Sequence, residues 1–346
     1  MNVITETRVP VAAPHPTHTF KVLLKREFWE HKGGFLWAPM VTGAIFLLMT
    51  SMAMIASESL RRSTQGDDEP LTMNGVKFSQ LTKTLSPAEL AEMGGGIDIG
   101  VLLAGTWPFI ALAFVVFFYC LGALYDERKD RSILFWKSLP LSDAQTVLSK
   151  VASALLVAPL LATAAAMLTS IGFLAILSVF TLYHGGNPIE MIWGPASPLK
   201  IFAIAVGSLP IFALWAMPTI GWLLLVSAWS KTKPFLWALL IPVFSGVLVS
   251  WFDVMQLFGL KAAWFWQHVV GRLLLGTVNG IDLIYRNANN PAIANFNPDS
   301  PKDIVELFSL SNAYGALAMP ELWIGVLAGA AMIFGAIRLR RWRDDG

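Results

Sequence analysis

Long apolar runs, separated by short charged segments, dominate the chain. Six of them reach the roughly 20 residues that a helix needs to cross a bilayer core. They span 36–56, 99–125, 151–183, 199–230, 234–252 and 320–337. Ahead of the first run the pattern is helical rather than continuous. Phe20, Leu23, Leu24, Phe28 and His31 fall on one face of 19–37, while Lys21, Lys25, Arg26 and Glu30 lie elsewhere. That pattern predicts an amphipathic helix along the inner leaflet. Gly33 and Gly34 then predict a sharp turn into the first span. The first span opens only at residue 36, so no cleavable signal peptide is expected.

The remaining segments are shorter or polar. The stretch 57–98 contains Gly66-Asp67-Asp68-Glu69-Pro70 and a helix start at Ser86-Pro87-Ala88-Glu89, and reads as an outer loop. AAWFWQHVVGRLLL at 262–275 is half a span long and carries His268 and Arg272 between interface-type Trp264, Trp266 and an apolar end. It fits a re-entrant or an interfacial segment. The Asn- and Pro-rich 287–300 predicts an exposed loop, and 303–308 a short helix beginning near Ser300 or Asp303.

Composition narrows the class. Hydrophobic residues make up 55% of the 346 and charged residues 14%, against about 25% charged in a soluble domain. A cytosolic enzyme, a disordered chain and a nucleic-acid binder are excluded together. Net charge is only +2, so placement of the cations is what informs. With the N-terminus in the cytoplasm, sixteen of the 25 Lys and Arg fall on inner segments: 1–35, 126–150, 231–233 and the end after 337. The reading is an all-α polytopic membrane protein of six transmembrane helices with both termini cytoplasmic. An N-terminal segment 1–37 precedes a membrane domain 38–338, with an outer loop 57–98, an inner loop 125–150 and an outer region 253–319 of short re-entrant helices. A basic tail, 339–346, follows.

Several chemistries find no residues to perform them. Cys120 is the single cysteine, which excludes an internal disulfide and a thiolate metal cluster. The dipeptide Gly-Lys does not occur, so there is no phosphate loop, and neither His-Glu-x-x-His nor Gly-x-Ser-x-Gly is present. No metal site and no enzyme activity are expected of this chain. The span interiors hold almost no ionisable residue, which disfavours a proton relay. Asp98, Asp253 and Glu321 stand at the outer ends of spans two, five and six, as a candidate acidic vestibule or as ordinary end-of-helix acids. Gly325-x-x-x-Gly329 and Gly96-x-x-x-Gly100 predict close helix packing. Pro210 and Pro218 predict a bent fourth span.

The inner loop is the most informative segment. Tyr125 to Lys150 reads YDERKDRSILFWKSLPLSDAQTVLSK: charged, then apolar, then broken by Pro140, then helical. A purely structural connection would be shorter and polar. Ile133, Leu134, Phe135 and Trp136 instead form an apolar patch that a soluble partner could accept in a groove. The run Glu127-Arg128, Ser132-Ile133, Ser138, Pro140-Leu141-Ser142 and Lys150 resembles the cytoplasmic loop of type-2 ATP-binding-cassette exporter permeases, with Lys129 and Arg131 where that family has a second acid and a glycine. The order of elements along the chain is also similar.

The resemblance implies a coupling helix that docks on a separate ATPase subunit, two copies of which bind ATP and Mg; this chain itself binds no cofactor. It implies a second permease chain, as a homodimer, in the inner membrane of a bacterium. Glu127, Arg128, Arg131, Phe135, Trp136 and Pro140 would form the docking site, with the charges making charge-assisted contacts and the aromatics acting as anchors. The expected cargo is amphipathic or apolar: a drug, a peptide antibiotic or a lipid-like molecule. The alternative function is a membrane anchor or sensing component that an ATPase moves without cargo crossing.

Overall fold

A computed structural model describes residues 16–342 apart from 67–70, 74–75, 139–140, 258, 260 and 279–299. Six helical segments are long and apolar enough to cross a membrane: Gly33–Thr64, Pro87–Lys129, Asp143–Tyr183, Leu209–Trp229, Pro234–Val254 and Pro320–Trp342. The protein is a multi-pass, all-α membrane protein. Apart from the helices, the described residues form one two-residue hairpin, Thr72–Met73 against Val76–Lys77.

The chain begins with α1 (Pro16–Glu30), which passes into α2 (Ala38–Gln65) through a wide π turn at Gly33–Trp37. The sharp turn expected at Gly33-Gly34 does not form. Helical hydrogen bonds run on, from His31 N to Glu27 O and from Phe35 N to His31 O, both at 3.0 Å. The cause of the wide turn is Pro39, whose ring and missing N–H disturb the preceding turn. The Ala38 amide reaches five residues back, to Gly33 O. The same device recurs before Pro159, where α7 (Asp143–Ala152) joins α8 (Ala158–Tyr183) through Ser153–Val157 and Ala158 N donates to Ser153 O.

Helices also run further than their apolar cores. α2 continues to Gln65 because Glu58 pairs with Arg61 and Arg62 along one face, at 2.8 and 2.9 Å. A short turn, α3 (Leu81–Thr84), precedes the 36-residue α4 (Pro87–Gly122). α4 opens on a capping box in which Ser86 N donates to Glu89 Oε2 at 2.7 Å and Glu89 N to Ser86 Oγ at 3.3 Å. The expected outer loop 57–98 therefore shrinks to the residues between α2 and α4. Beside it His184, at the end of α8, packs among Phe78, Phe180 and Tyr183, 3.5 Å from Glu58. Burial holds its imidazole below the usual value, and Glu58 only partly opposes this.

The expected fourth span, 199–230, is two helices, α9 (Pro198–Gly207) and α10 (Leu209–Trp229), that part at Ser208. Pro210 interrupts the run, since it has no N–H to donate to the turn before it. Pro218 sits inside a continuous α10. α10 is the most buried span, and α2 the least. α11 (Pro234–Val254) follows.

The half-span folds back along α11. It comprises α12 (Ala262–Phe265), a wide turn at Trp266–Gly271 and α13 (Arg272–Leu275). Asp253 accepts from Ala262 N at 2.9 Å and Trp266 Nε1 donates to Ser250 Oγ at 2.8 Å. Its far end reaches the middle of α10, where Thr219 Oγ1 donates to Arg272 O at 2.6 Å. Arg272 is buried, with its guanidinium 4.3 Å from the Trp215 ring centre and donating to Glu321 O and Leu322 O. Arg272→Lys is expected to lower stability by about 2 kcal/mol, because an ammonium cannot stack flat on the indole while serving two carbonyls. An unchanged unfolding midpoint in detergent would show that the half-span is held by something else.

The stretch 287–300 lies outside the described residues except for Ser300. That serine caps α14 (Pro301–Leu307) in a box with Asp303. After α15 (Leu310–Gly315), the last span α16 (Pro320–Trp342) takes in the first residues of the expected tail. Of the two glycine pairs, Gly329 lies against the α10 backbone near Met217 while Gly325 makes room for the Arg272 guanidinium. Gly100 meets Phe173, but Gly96 meets nothing; Gly94 and Gly95 are instead the packed positions, against Pro195 and Lys302.

Candidate functional site

The connection between spans two and three is built from three short helices. α5 (Tyr125–Lys129) follows α4 after a break at 123–124, and α6 (Ser132–Ser138) follows α5 at a corner where Arg131 takes a left-handed φ of 56°. α7 then starts on a capping box between Ser142 and Gln145, at 3.1 Å in both directions.

Buried Ser227 of α10 bridges the break between α4 and α5. Its Oγ accepts from Leu124 N at 3.1 Å and Tyr125 N at 3.0 Å, and donates to Leu121 O at 2.7 Å. Arg128 reaches the same helix end, donating to Ser227 O and, at 2.9 Å, to Ser230 O. A cation there meets the negative end of the α10 dipole and its unpaired carbonyls.

Below this joint lies a buried chain of charges. Lys150 Nζ stands 3.0 Å from Glu27 Oε1 and 3.1 Å from Glu127 Oε1. Tyr119 donates its hydroxyl to Glu27 Oε2 at 2.8 Å. Arg340 holds Glu127 Oε2 with one nitrogen and Asp143 Oδ1 with another at 3.2 Å. Glu27 is 0% exposed and Lys150 2%. Alternating signs are what make such burial tolerable, because each carboxylate lies between donors. The chain ties α1, α4, α5, α7 and α16 together, so both described ends of the protein and the 125–150 connection share one end of the bundle.

The expected site residues scatter across this arrangement. Glu127 and Arg128, expected to meet a partner, are spent inside the chain: Glu127 is buried between Lys150 and Arg340, and Arg128 caps α10. Arg131 is exposed at the corner. Of the apolar patch, Ile133 turns inward and Leu134 is 62% exposed. The side chains of Phe135 and Trp136 lie outside the described set, though their backbone belongs to α6. Pro140 lies outside the described residues.

On α1, Leu23 is buried and Phe20, Leu24 and Phe28 are half-buried. The helix packs this face against α7, so protein covers part of what was expected to face lipid. At the opposite end of the bundle, Asp98 accepts from Ser197 N at 2.8 Å, Asp253 from the half-span, and Glu321 sits in the first turn of α16. No ion pair or hydrogen bond joins any two of them.

The residue that sequence reasoning passed over is Glu27. Its signal was there: it lies four positions from Leu23 and four from His31, an acid on the apolar face of α1. An acid so placed needs a buried cation, and Lys150 supplies it. Comparison with known protein families, with curated proteins and with solved structures finds no match.

Proposed function

We propose that this chain is the membrane subunit of an ATP-driven exporter, working with a separate ATPase, and that α6 is the helix on which the ATPase acts. One observation supports this reading above the others. A short helix with an outward apolar residue, Leu134, lies between two helices that are held to the bundle, α5 through Arg128 and Ser227 and α7 through Lys150. A push on α6 therefore passes to α10 and, through the charge chain, to α1, α4 and α16, as a rigid-body shift requires. This chain has no phosphate loop, so the reading assigns ATP and Mg to the partner.

In this reading the end carrying the charge chain faces the cytoplasm, where the positive flanks belong. α1 lies at the inner surface, and 262–275 re-enters the membrane from outside. The apolar outer face of α2, exposed at Ile45 and Met49, is where a second copy would pack. The cargo is amphipathic or apolar.

The test is ATPase recovery. Tagged chain purified from its own cells in mild detergent should carry Mg-dependent ATPase activity. Leu134→Asp and Trp136→Ala should each reduce that activity about tenfold or more, as the loss of an interface anchor does, while leaving the unfolding midpoint of the chain unchanged. Full activity in both variants would remove α6 as the docking element. In vesicles, ATP-driven movement of a labelled cargo separates export from anchoring.

A further inference from the structure

Toward the end of the bundle opposite the charge chain, the helices enclose a cavity of about 320 Å³. Its walls come from α4, α8, α14 and both sides of the break between α9 and α10. Side chains that follow one face from α9 through Ser208 into α10, Phe202 and Ile211 among them, line one side of it.

The chemistry of the lining selects the ligand. No charged residue faces the cavity. The four polar side chains are Thr106, Ser170, Ser208 and Ser309. Thr106 donates to Leu102 O at 2.9 Å, Ser170 to Val101 O at 3.0 Å and Ser208 to Ala205 O at 3.1 Å. Ser309 pairs with Ser311 at 3.0 Å and accepts from Asn312 N. These hydroxyls are engaged with the protein, so they are poor partners for a buried water, which needs two to four. An apolar void of ~150 Å³ takes up a benzene-sized molecule, and drug-sized ligands use ~300–1,000 Å³. The size suits one unbranched chain better than a two-chain lipid.

The mouth says where the ligand comes from. Leu103, exposed to 58%, exposed Thr106 and Phe308 rim it. Leu103 and Thr106 lie within a helix that crosses the membrane, so this opening faces the bilayer. We propose that the cavity binds a single alkyl chain, of a membrane lipid or of a single-chain amphiphile, entering sideways from the bilayer. This holds whether or not an ATPase drives the protein, since it rests only on the chain's place in a membrane.

Photolabelling tests it. The full chain, in phosphatidylcholine vesicles with a trace of hexadecanoic acid carrying a diazirine at its methyl end, is irradiated and the labelled residues are mapped by mass spectrometry. Met167 and Phe202, inside the cavity, should be labelled well above Phe244 and Val247 on the outward face of α11. Two variants should cut cavity labelling about tenfold, as overfilling a packed site does, and leave α11 labelling unchanged. Thr106→Trp obstructs the mouth from an exposed position. Gly105→Leu fills the interior: a Cβ there meets Ser170 Oγ at 3.4 Å and Ala166 Cβ at 3.7 Å, ordinary contact distances. If Gly105→Leu does not fold, Thr106→Trp decides.

Labelling of Met167 and Phe202 no stronger than that of α11, or unaffected by the variants, overturns the proposal. A parallel run with chain-labelled phosphatidylcholine identifies the source. Labelling by both probes assigns the site to membrane lipid, and labelling by the free acid alone assigns it to a single-chain amphiphile.

Discussion

Lys150→Met is expected to destabilise the chain by about 3–5 kcal/mol, the cost of breaking a buried ion pair from one side. The ammonium is 2% exposed and stands between Glu27 and Glu127 at 3.0 and 3.1 Å. Without it two carboxylates stay buried. Arg340 still holds Glu127, but Glu27 keeps the Tyr119 hydroxyl and, at the longer distance of 3.9 Å, the Arg26 guanidinium. Thermal unfolding of the purified chain in detergent measures the loss. Adding Glu27→Gln to Lys150→Met should recover part of it, because a neutral amide is cheaper to bury than a lone carboxylate. A loss below about 1 kcal/mol for Lys150→Met, the range of exposed pairs, would mean that water reaches this site.

Gly329→Leu should cost at least about 3 kcal/mol, the upper end of overpacking penalties. A Cβ at Gly329 would lie 2.7 Å from Met217 O and 2.8 Å from its carbonyl carbon, and one at Gly221 would lie 2.6 Å from Gly329 O. The obstacle is backbone on both sides, so no rotamer relieves it and α10 and α16 must separate. Ala330→Leu, one residue on and exposed, is the control and should stay within about 0.5 kcal/mol. Equal midpoints for the two variants would show that the two helices do not meet at Gly329.

The contrast between these two sites shows what the sequence makes legible. A span announces itself by apolar length, so all six were readable, as was the disturbance at Pro210. Helix ends were less so. The polar residues of Glu58-Ser-Leu-Arg-Arg look like a loop, yet they pair along a helix face and prolong α2. Gly94 to Gly96 looks like a helix breaker, yet Gly94 and Gly95 are glycines because Pro195 and Lys302 lie against them.

The charge chain was half legible. In sequence Glu127 reads as a docking contact and Lys150 only as part of the resemblance, because a charge beside a membrane carries no mark of its partner. Only the position of Arg340, 213 residues from Glu127 in sequence, decides it, and no local pattern carries that pairing. Arg272 is the harder case: its partners are carbonyls and an indole face, which no side-chain motif records.

The wide turn at Ser153–Val157 has one more consequence, in the phase of the helix that contains it. Such a turn stores one residue beyond the α count, which rotates everything after it by about 100° relative to a single helical wheel. Buried residues along this span recur in neighbouring pairs at 146/147, 150/151, 153/154, 158/159, 162/163, 165/166 and 169/170. The pairs follow at steps of three or four except across the wide turn, where 153/154 to 158/159 is a step of five. A cysteine-accessibility scan should trace this phase step directly, and a wheel drawn from Asp143 through Tyr183 would assign to lipid the alanines that face the core.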